Sequence, residues 1–415
     1  MSEYKESVRA QAAKYICPGR VQMLDMFGLD LVIGRREGYR IWDVDGRELL
    51  DFHLNGGVFS LGHRHPEVVD ALRVALDTLD IGNHHFPSVQ RAALGEALAA
   101  CTPGDLQYSV FASGGGEAID IAIKSARHAT ARRKIVSAVK GYHGHTGLAL
   151  QAGDARFVNL FHSQPAEGDF TQVPFNDLDA MEQALQGGDV AAVLLETLPA
   201  TYGFPLPAPD YLAGVRELCT RHGAMYIADE VQTGLGRTGA LWGVESYGVT
   251  PDILVTGKGL SGGVYPIAAA VLSPRAGAWL QEDGWAHVST FGGAELGCVV
   301  ALKVLEILQR DSVAENAASV AANLGEGLRA LQDQFPDWFL EVRQRGVVMG
   351  LKFNDTMGGL HMSRALYEHG LWAMFAGLDT SIVQFKPGLL LSSGECAETL
   401  ERMEAALRTC IARVG

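Results

Sequence analysis

The sequence predicts an α/β protein. A large domain on a mostly parallel sheet covered by helices is expected beside a small α+β domain drawn from both chain ends. Three observations carry this. Short apolar runs alternate with helical patterns through the middle of the 415-residue chain, and strands spaced by helices form a parallel sheet. The runs lack the in–out alternation of a half-exposed strand, so both faces of the sheet should be covered. The chain ends differ from the middle. The expected boundaries are 1–55 and 309–415 for the two parts of the small domain, and 56–308 for the large one.

Taken in order, "LVIGRREGYRIWDVDGRELLDF" (31–52) reads as two strands with turns at Gly38 and Asp45-Gly46. "QYSVFA" (107–112) is a strand leading into a helix from about Gly116. "KIVSAV" (134–139), "VAAVLLE" (190–196), "AMYIAD" (224–229) and "DILVTG" (252–257) are further strands. Helical stretches such as "DYLAGVRELCTRHG" (210–223) lie between them. Beyond 309, long helices are followed by "VVMGLKF" and "VQFKPGLLLS" as strands, and by a last helix over 395–412.

Composition narrows the function classes. The formal charge of −14 argues against a nucleic-acid binder, because neutralising phosphates needs basic clusters. The one compact basic run, Arg132-Arg133-Lys134, precedes an apolar strand and reads as a solvated strand entry. Cys17, Cys101, Cys219, Cys298, Cys396 and Cys410 have no CxxC spacing, so neither a zinc site nor a disulfide framework is expected. Free thiols, a polar N-terminus and no apolar run of membrane-spanning length predict a cytoplasmic protein with no membrane partner.

The chemistry collects at the ends of the expected strands, where ligands of open parallel sheets bind. "SGGGEAIDIAIKSAR" (113–127) places three glycines between a strand and a helix, either a tight turn or a phosphate cradle. "GYHGHT" (141–146) offers Tyr142 for stacking on a planar ring and His143 for a pocket wall, against a partly buried structural tyrosine. Glu196 and Asp229 end apolar strands that tolerate no unpartnered charge. Lys258 stands between Gly257 and Gly259, with apolar runs on both sides. An amine held in an apolar pocket has a lowered pKa and becomes a nucleophile. A lysine tether, a carboxylate for a ring nitrogen, a stacking aromatic and a phosphate cup together suggest pyridoxal 5'-phosphate.

These residues lie in a longer likeness. "GYRIWDVDGRELLDF", "LGHRHPEVVDAL", "TFGGAELGC", "VRQRGVVMGLKF" and above all "ADEVQTGLGRTGALW…VTPDILVTGKGLSGGVYPIAAAV" resemble the class III, or omega, aminotransferases of pyridoxal-phosphate fold type I. The resemblance implies roles. Lys258 matches the Schiff-base lysine and proton carrier, and Asp229 the acid that keeps the ring nitrogen protonated. Val231 would pack under the ring opposite Tyr142, with Gln232 near the phenolic oxygen. Gly115 and Gly116 align with the phosphate turn, and Glu196 with a pocket glutamate beside the substrate. Thr290 matches a threonine that reaches the phosphate of a neighbouring subunit, which implies a homodimer with shared sites. The implied reaction is ping-pong transfer from an amine donor to a 2-oxo acid acceptor. Epimerisation, racemisation or decarboxylating transamination on the same cofactor are the alternatives. A non-catalytic nucleotide-binding module is disfavoured, because it leaves Lys258, Asp229 and Tyr142 unexplained.

The chain departs from the family pattern in three places. Ser113-Gly114-Gly115-Gly116 replaces Asn-Ser-Gly-Ala, and Ala294-Glu295 replaces an Asn-Pro pair. Gln384 stands where many members carry an arginine for a substrate carboxylate, with Lys386 two residues on. This predicts a donor that is a primary amine, amino sugar or ω-amino acid. Phe59, Phe86, Tyr202 and the His84-His85 pair are candidate pocket walls against a core reading, and Lys386 and Arg156 candidate carboxylate partners.

Overall fold

The computed structural model of the chain describes residues 2–414. Its strands are β1 (Ile33–Glu37), β2 (Arg40–Asp43), β3 (Glu48–Asp51), β4 (Tyr108–Ala112), β5 (Lys134–Ala138), β6 (Phe170–Val173), β7 (Val190–Glu196) and β8 (Met225–Asp229). They continue with β9 (Ile253–Thr256), β10 (Ala268–Leu272), β11 (Phe339–Arg345), β12 (Val348–Phe353), β13 (Leu371–Trp372), β14 (Met374–Ala376) and β15 (Asp379–Phe385). A seven-stranded sheet has the order β4-β10-β9-β8-β7-β5-β6. Its strands run parallel except β10, which is antiparallel to both neighbours.

The apolar runs make this sheet because both of its faces are covered. Every residue of β7, β8, β9 and β10 is buried. Side chains alternate across β7. Val193 and Leu195 pack into a cluster with Leu212 and Val215 of the helix Tyr211–His222. Ala192 and Leu194 pack into another with Ile119 and Ile123 of the helix Gly115–Thr130. Each fully buried Val, Leu or Ile contributes roughly 1.5–3 kcal/mol.

Two four-stranded sheets flank this layer, β1-β2-β3-β13 and β11-β12-β15-β14. The first joins the chain ends, since β13 pairs parallel with β3. A separate core under the second collects Leu324 and Leu328 of the helix Asp311–Gln334, and Met403 and Leu407 of the helix Ser393–Val414.

Two expectations need correction, and two strands of the large sheet were not among those expected. Residues 31–52 form three strands, not two, because the turns at Gly38 and 45–46 cut the run twice. The strand expected through "VQFKPGLLLS" stops at Phe385, since Pro387 has no N–H to give a ladder. The run 268–272 enters the sheet antiparallel, and a four-residue strand, β6, adds an edge next to β5.

Candidate active site

The sheet register sets the site. Glu196 ends β7 opposite Asp229, which ends β8, and Asp229 lies opposite Val255 of β9. Lys258 follows β9 at the head of a short 3₁₀ turn. Three charged side chains therefore meet at the carboxyl edge of neighbouring strands.

The backbone is bent to present the lysine. Lys258 has φ of +42°, in the left-handed region that side chains rarely occupy. Gly56, itself at φ +74°, leaves room for it: a Cβ there would lie 3.2 Å from Lys258 Cε. Strain of this kind persists where surrounding structure over-determines it, and it clusters at functional sites. Burial pulls the Lys258 pKa below its ordinary value, while Asp229 and then Glu196 oppose the shift.

Each acid is held differently. Asp229 Oδ2 lies 2.8 Å from His143 Nδ1, and Oδ1 accepts the Val231 N–H at 3.1 Å. Glu196 accepts backbone N–H groups on both oxygens, from Tyr142 and from Ala200, each at 3.0 Å. Burial nevertheless raises the Glu196 carboxyl to about 7; His143 opposes this and Asp229 adds to it. Glu196 thus fixes the Tyr142 backbone, and the Tyr142 ring has His145 and Phe157 beside it at centroid distances of 5.2 and 6.5 Å.

These residues surround a cavity of about 170 Å³ whose walls also include Gly115, Gly116, Gly144, Val231 and Gln232. The floor is the N-terminus of the helix Gly115–Thr130, whose first N–H groups face an anion well. The turn there is tight: a Cβ on Gly116 would lie 2.9 Å from Thr146 Oγ1. Gln232 Oε1 and His143 Nε2 are buried without a hydrogen-bond partner. Amine, braced carboxylate, aromatic wall, glycine-lined helix end and orphaned polar atoms fit a planar pyridine ring bearing a phosphate. A larger, open groove of about 1040 Å³, lined by Arg35, Arg64 and Arg73 among others, shares no residue with this cavity.

The cavity brings together Lys258, Asp229, Glu196, Tyr142, Val231, Gln232, Gly115 and Gly116. Other candidates lie elsewhere. Phe59 stacks on His63 at 3.9 Å, and Tyr202 carries Lys140 over its ring at 4.3 Å. Phe86 is 68 % exposed, the His84 and His85 rings sit 4.2 Å apart with Trp285 beside His85, and Thr290 is exposed. Arg156 is exposed, with its guanidinium over Phe157. Gln384 and Lys386 are buried beside one another, with Lys386 Nζ 2.5 Å from Gln384 Oε1. The partnership of His143 with Asp229 was not expected. The signal available was a histidine bracketed by glycines just past β5, but nothing local links it to an acid 86 residues away.

The fold and the site thus define an enzyme that works with pyridoxal phosphate at the ends of a parallel sheet. The family model for class III aminotransferases matches residues 25–407. An uncharacterised aminotransferase from Archaeoglobus fulgidus is 50 % identical over 395 residues, covering 95 % of this chain and 92 % of that protein. The putrescine aminotransferase of Pectobacterium atrosepticum is 34 % identical, covering 88 % and 80 % respectively. The crystal structure of ornithine aminotransferase from Toxoplasma gondii superposes with a TM-score of 0.88 at 28 % identity, covering 98 % of this chain and 95 % of that one. The chain belongs to the class III aminotransferases, a pyridoxal-phosphate-dependent family.

Proposed function

We propose that the protein moves an amino group from a terminal or side-chain primary amine to a 2-oxo acid in two half-reactions at one site. The observation that carries this is Lys258, an amine held in a cavity with two buried carboxylates, Asp229 and Glu196, in its wall. Bound pyridoxal phosphate supplies the electron-withdrawing ring that acidifies the C–H bond beside the donor nitrogen. Lys258 would tether the cofactor; freed when the donor takes its place, its amine would take the proton from that carbon and deliver it to the cofactor carbon that had borne the aldehyde. Asp229, braced by His143, would hold a proton at the ring nitrogen. Tyr142 and Val231 would flank the ring, Gln232 would meet its phenolic oxygen, and the Gly115–Gly116 turn would receive the phosphate. Glu196, with both oxygens engaged by backbone, positions Tyr142.

The absence of an arginine at Gln384 supports a donor without an α-carboxylate. The likeness to a putrescine aminotransferase points the same way. We also propose a homodimer in which Thr290 reaches the cofactor phosphate of a second copy. Thr290 stands in an exposed segment with Trp285, Val288 and Phe291, and Phe86 and Val89 are exposed as well. So many exposed large apolar side chains suit an interface.

The test is spectroscopic. Mixing the holoenzyme with a primary amine should abolish the visible cofactor band and leave the pyridoxamine form, and a 2-oxo acid should restore it. Return of the band without any oxo acid would point to an epimerase or racemase instead. A protein with no visible band sensitive to borohydride would not be a pyridoxal-phosphate enzyme.

A further inference from the structure

β1 is the free edge of the sheet β1-β2-β3-β13, and all five of its residues are exposed. It pairs with β2 on one side only. On the outer side a ladder starts and then stops. Gly38 N–H donates to His63 O at 3.2 Å, and His63 N–H donates to Gly38 O at 2.6 Å. The chain then leaves the edge: Arg64 takes φ of +56°, and Pro66 opens the helix Pro66–Ala75. Backbone groups alternate in direction along a strand. With those of Gly38 turned to His63, the N–H and C=O of Arg36 face outward too, and no strand meets them. An unpaired edge is a template for another extended chain.

This edge lines the open groove of about 1040 Å³, and the helix Pro66–Ala75 lines it as well. Four arginines stand in the groove, and Arg73 is paired with Asp70 at 3.0 Å. Arg35, Arg36 and Arg64 form no ion pair among the described residues. Arg35 lies over the Trp42 ring at 3.7 Å, and Arg36 reaches Gly34 O at 3.3 Å. The remaining acids of the groove are Glu37 and Glu395, and Glu395 Oε2 already accepts the Ser392 N–H and hydroxyl. In a chain of formal charge −14, three unpaired guanidinium groups in one groove mark a local site for negative charge. A second copy of β1 suits it badly. Two outward-facing edges paired antiparallel set Arg36 against Arg36, and a slip sets Arg35 against Arg35 or Glu37 against Glu37, like charges each time.

We propose that this groove binds an extended acidic peptide segment of a partner protein, which adds a strand to β1. The peptide backbone pairs with Arg36 and continues the ladder that Gly38 and His63 begin. Its carboxylates meet Arg35, Arg36 and Arg64. Main-chain bonds supply affinity, and the arginines select the charge. The groove shares no residue with the cavity around Lys258, so a docked peptide leaves that cavity free.

The experiment measures fluorescence anisotropy of a labelled decapeptide of alternating glutamate and threonine on the holoenzyme. Two control peptides carry lysine in place of glutamate, or a methyl group on every backbone nitrogen. The glutamate peptide should bind about tenfold more tightly than either control, which separates charge from backbone pairing. Arg35→Glu combined with Arg36→Glu should weaken the glutamate peptide about tenfold and favour the lysine peptide. Arg64→Ala, outside the strand, should weaken the glutamate peptide about two- to fivefold. If the double variant does not fold, Arg64→Ala is read by the same criterion. Equal binding of the methylated peptide would mean attraction to surface charge alone and overturns the proposal. So does a wild type that binds no glutamate peptide, or binding unchanged in the variants. Self-association of the wild type that the double variant abolishes, without peptide binding, would give the edge to a second copy and also overturns it.

Discussion

Lys5 and Lys386 are almost equally buried, 3 % and 1 % exposed, and the protein treats them in opposite ways. Lys5, in the helix Glu3–Tyr15, meets Asp30 at 2.6 Å and Asp43 at 2.5 Å. Burial alone would lower its pKa, but the two acids outweigh it and hold the pKa above 10.5. Lys386 meets a neutral amide and neighbouring cations. One lysine fastens the N-terminal helix to the small sheet that carries Asp43. The other is left without a counter-charge. Burial of a charge therefore says little about its purpose; the supply of counter-charge says more. Lys258 belongs with Lys386 in this respect, since Asp229 and Glu196 only partly offset the cost of burying it.

The comparison breaks most visibly at Lys258. Lys258→Ala should abolish multiple turnover while the far-ultraviolet circular dichroism stays native. Borohydride should no longer fix the cofactor to the chain. Measurable turnover without an added amine would show that this undercompensated lysine is not the tether. Asp229→Asn comes next. It should keep the cofactor but slow the amine half-reaction by about 10²–10⁴-fold, because a neutral amide no longer holds a proton at the ring nitrogen. A rate of cofactor conversion equal to wild type would remove Asp229 from that role.

What the sequence made legible divides along the same line. Lys258, Asp229 and Glu196 stood out because a charge at the end of an apolar strand is a local anomaly, visible within ten residues. Five of the seven strands of the central sheet, β4, β5, β7, β8 and β9, were legible for a similar reason. The direction of β10 was not, because an apolar run buried on both faces reads identically either way. The His143–Asp229 contact and the staple on Lys5 join residues far apart in sequence, so the polar N-terminus gave no sign that one of its lysines is buried. Phe59, Tyr202 and Phe86 failed to mark the cavity because aromatic content does not distinguish core, surface and wall.

A smaller effect sharpens the contrast from the structural side. Lys5→Met should destabilise the fold by about 3 kcal/mol, the lower end for removing one partner of a buried pair. Asp43 is left buried, while the Asp30 carboxylate is 40 % exposed and recovers some hydration. The pH dependence follows from the two shifts. Lys5 has a raised pKa, so its contribution is present below 10.5 and is lost as pH climbs through the folded value. Asp30, mainly through its bond to Lys5 working against burial, is lowered from 3.8 to about 2, so its contribution is present above 3.8 and fades as pH falls toward 2. Urea unfolding should therefore show a wild-type advantage over Lys5→Met that is flat between pH 5 and 9 and shrinks at both extremes. A variant as stable as wild type at pH 7 would show that Lys5 is no staple.

Lys386→Met should move stability least and in the other direction with pH. The substitution removes a costly buried amine but leaves Gln384 Oε1 without a donor, so at pH 7 the two effects, each about 1–3 kcal/mol, nearly cancel. A lysine whose folded pKa lies below 10.5 binds fewer protons in the folded chain than in the unfolded one, throughout the window between the two values. Stability contributed by such a group rises with pH up to 10.5 and is smallest at the acid end. Wild type should thus gain on Lys386→Met between pH 6 and pH 9, where it holds level against Lys5→Met. The measurement is the urea midpoint of the three proteins at several pH values. A wild-type advantage over Lys386→Met that falls with rising pH, or a loss as large as that of Lys5→Met, would mean that Lys386 has a counter-charge after all and that the two lysines are both staples.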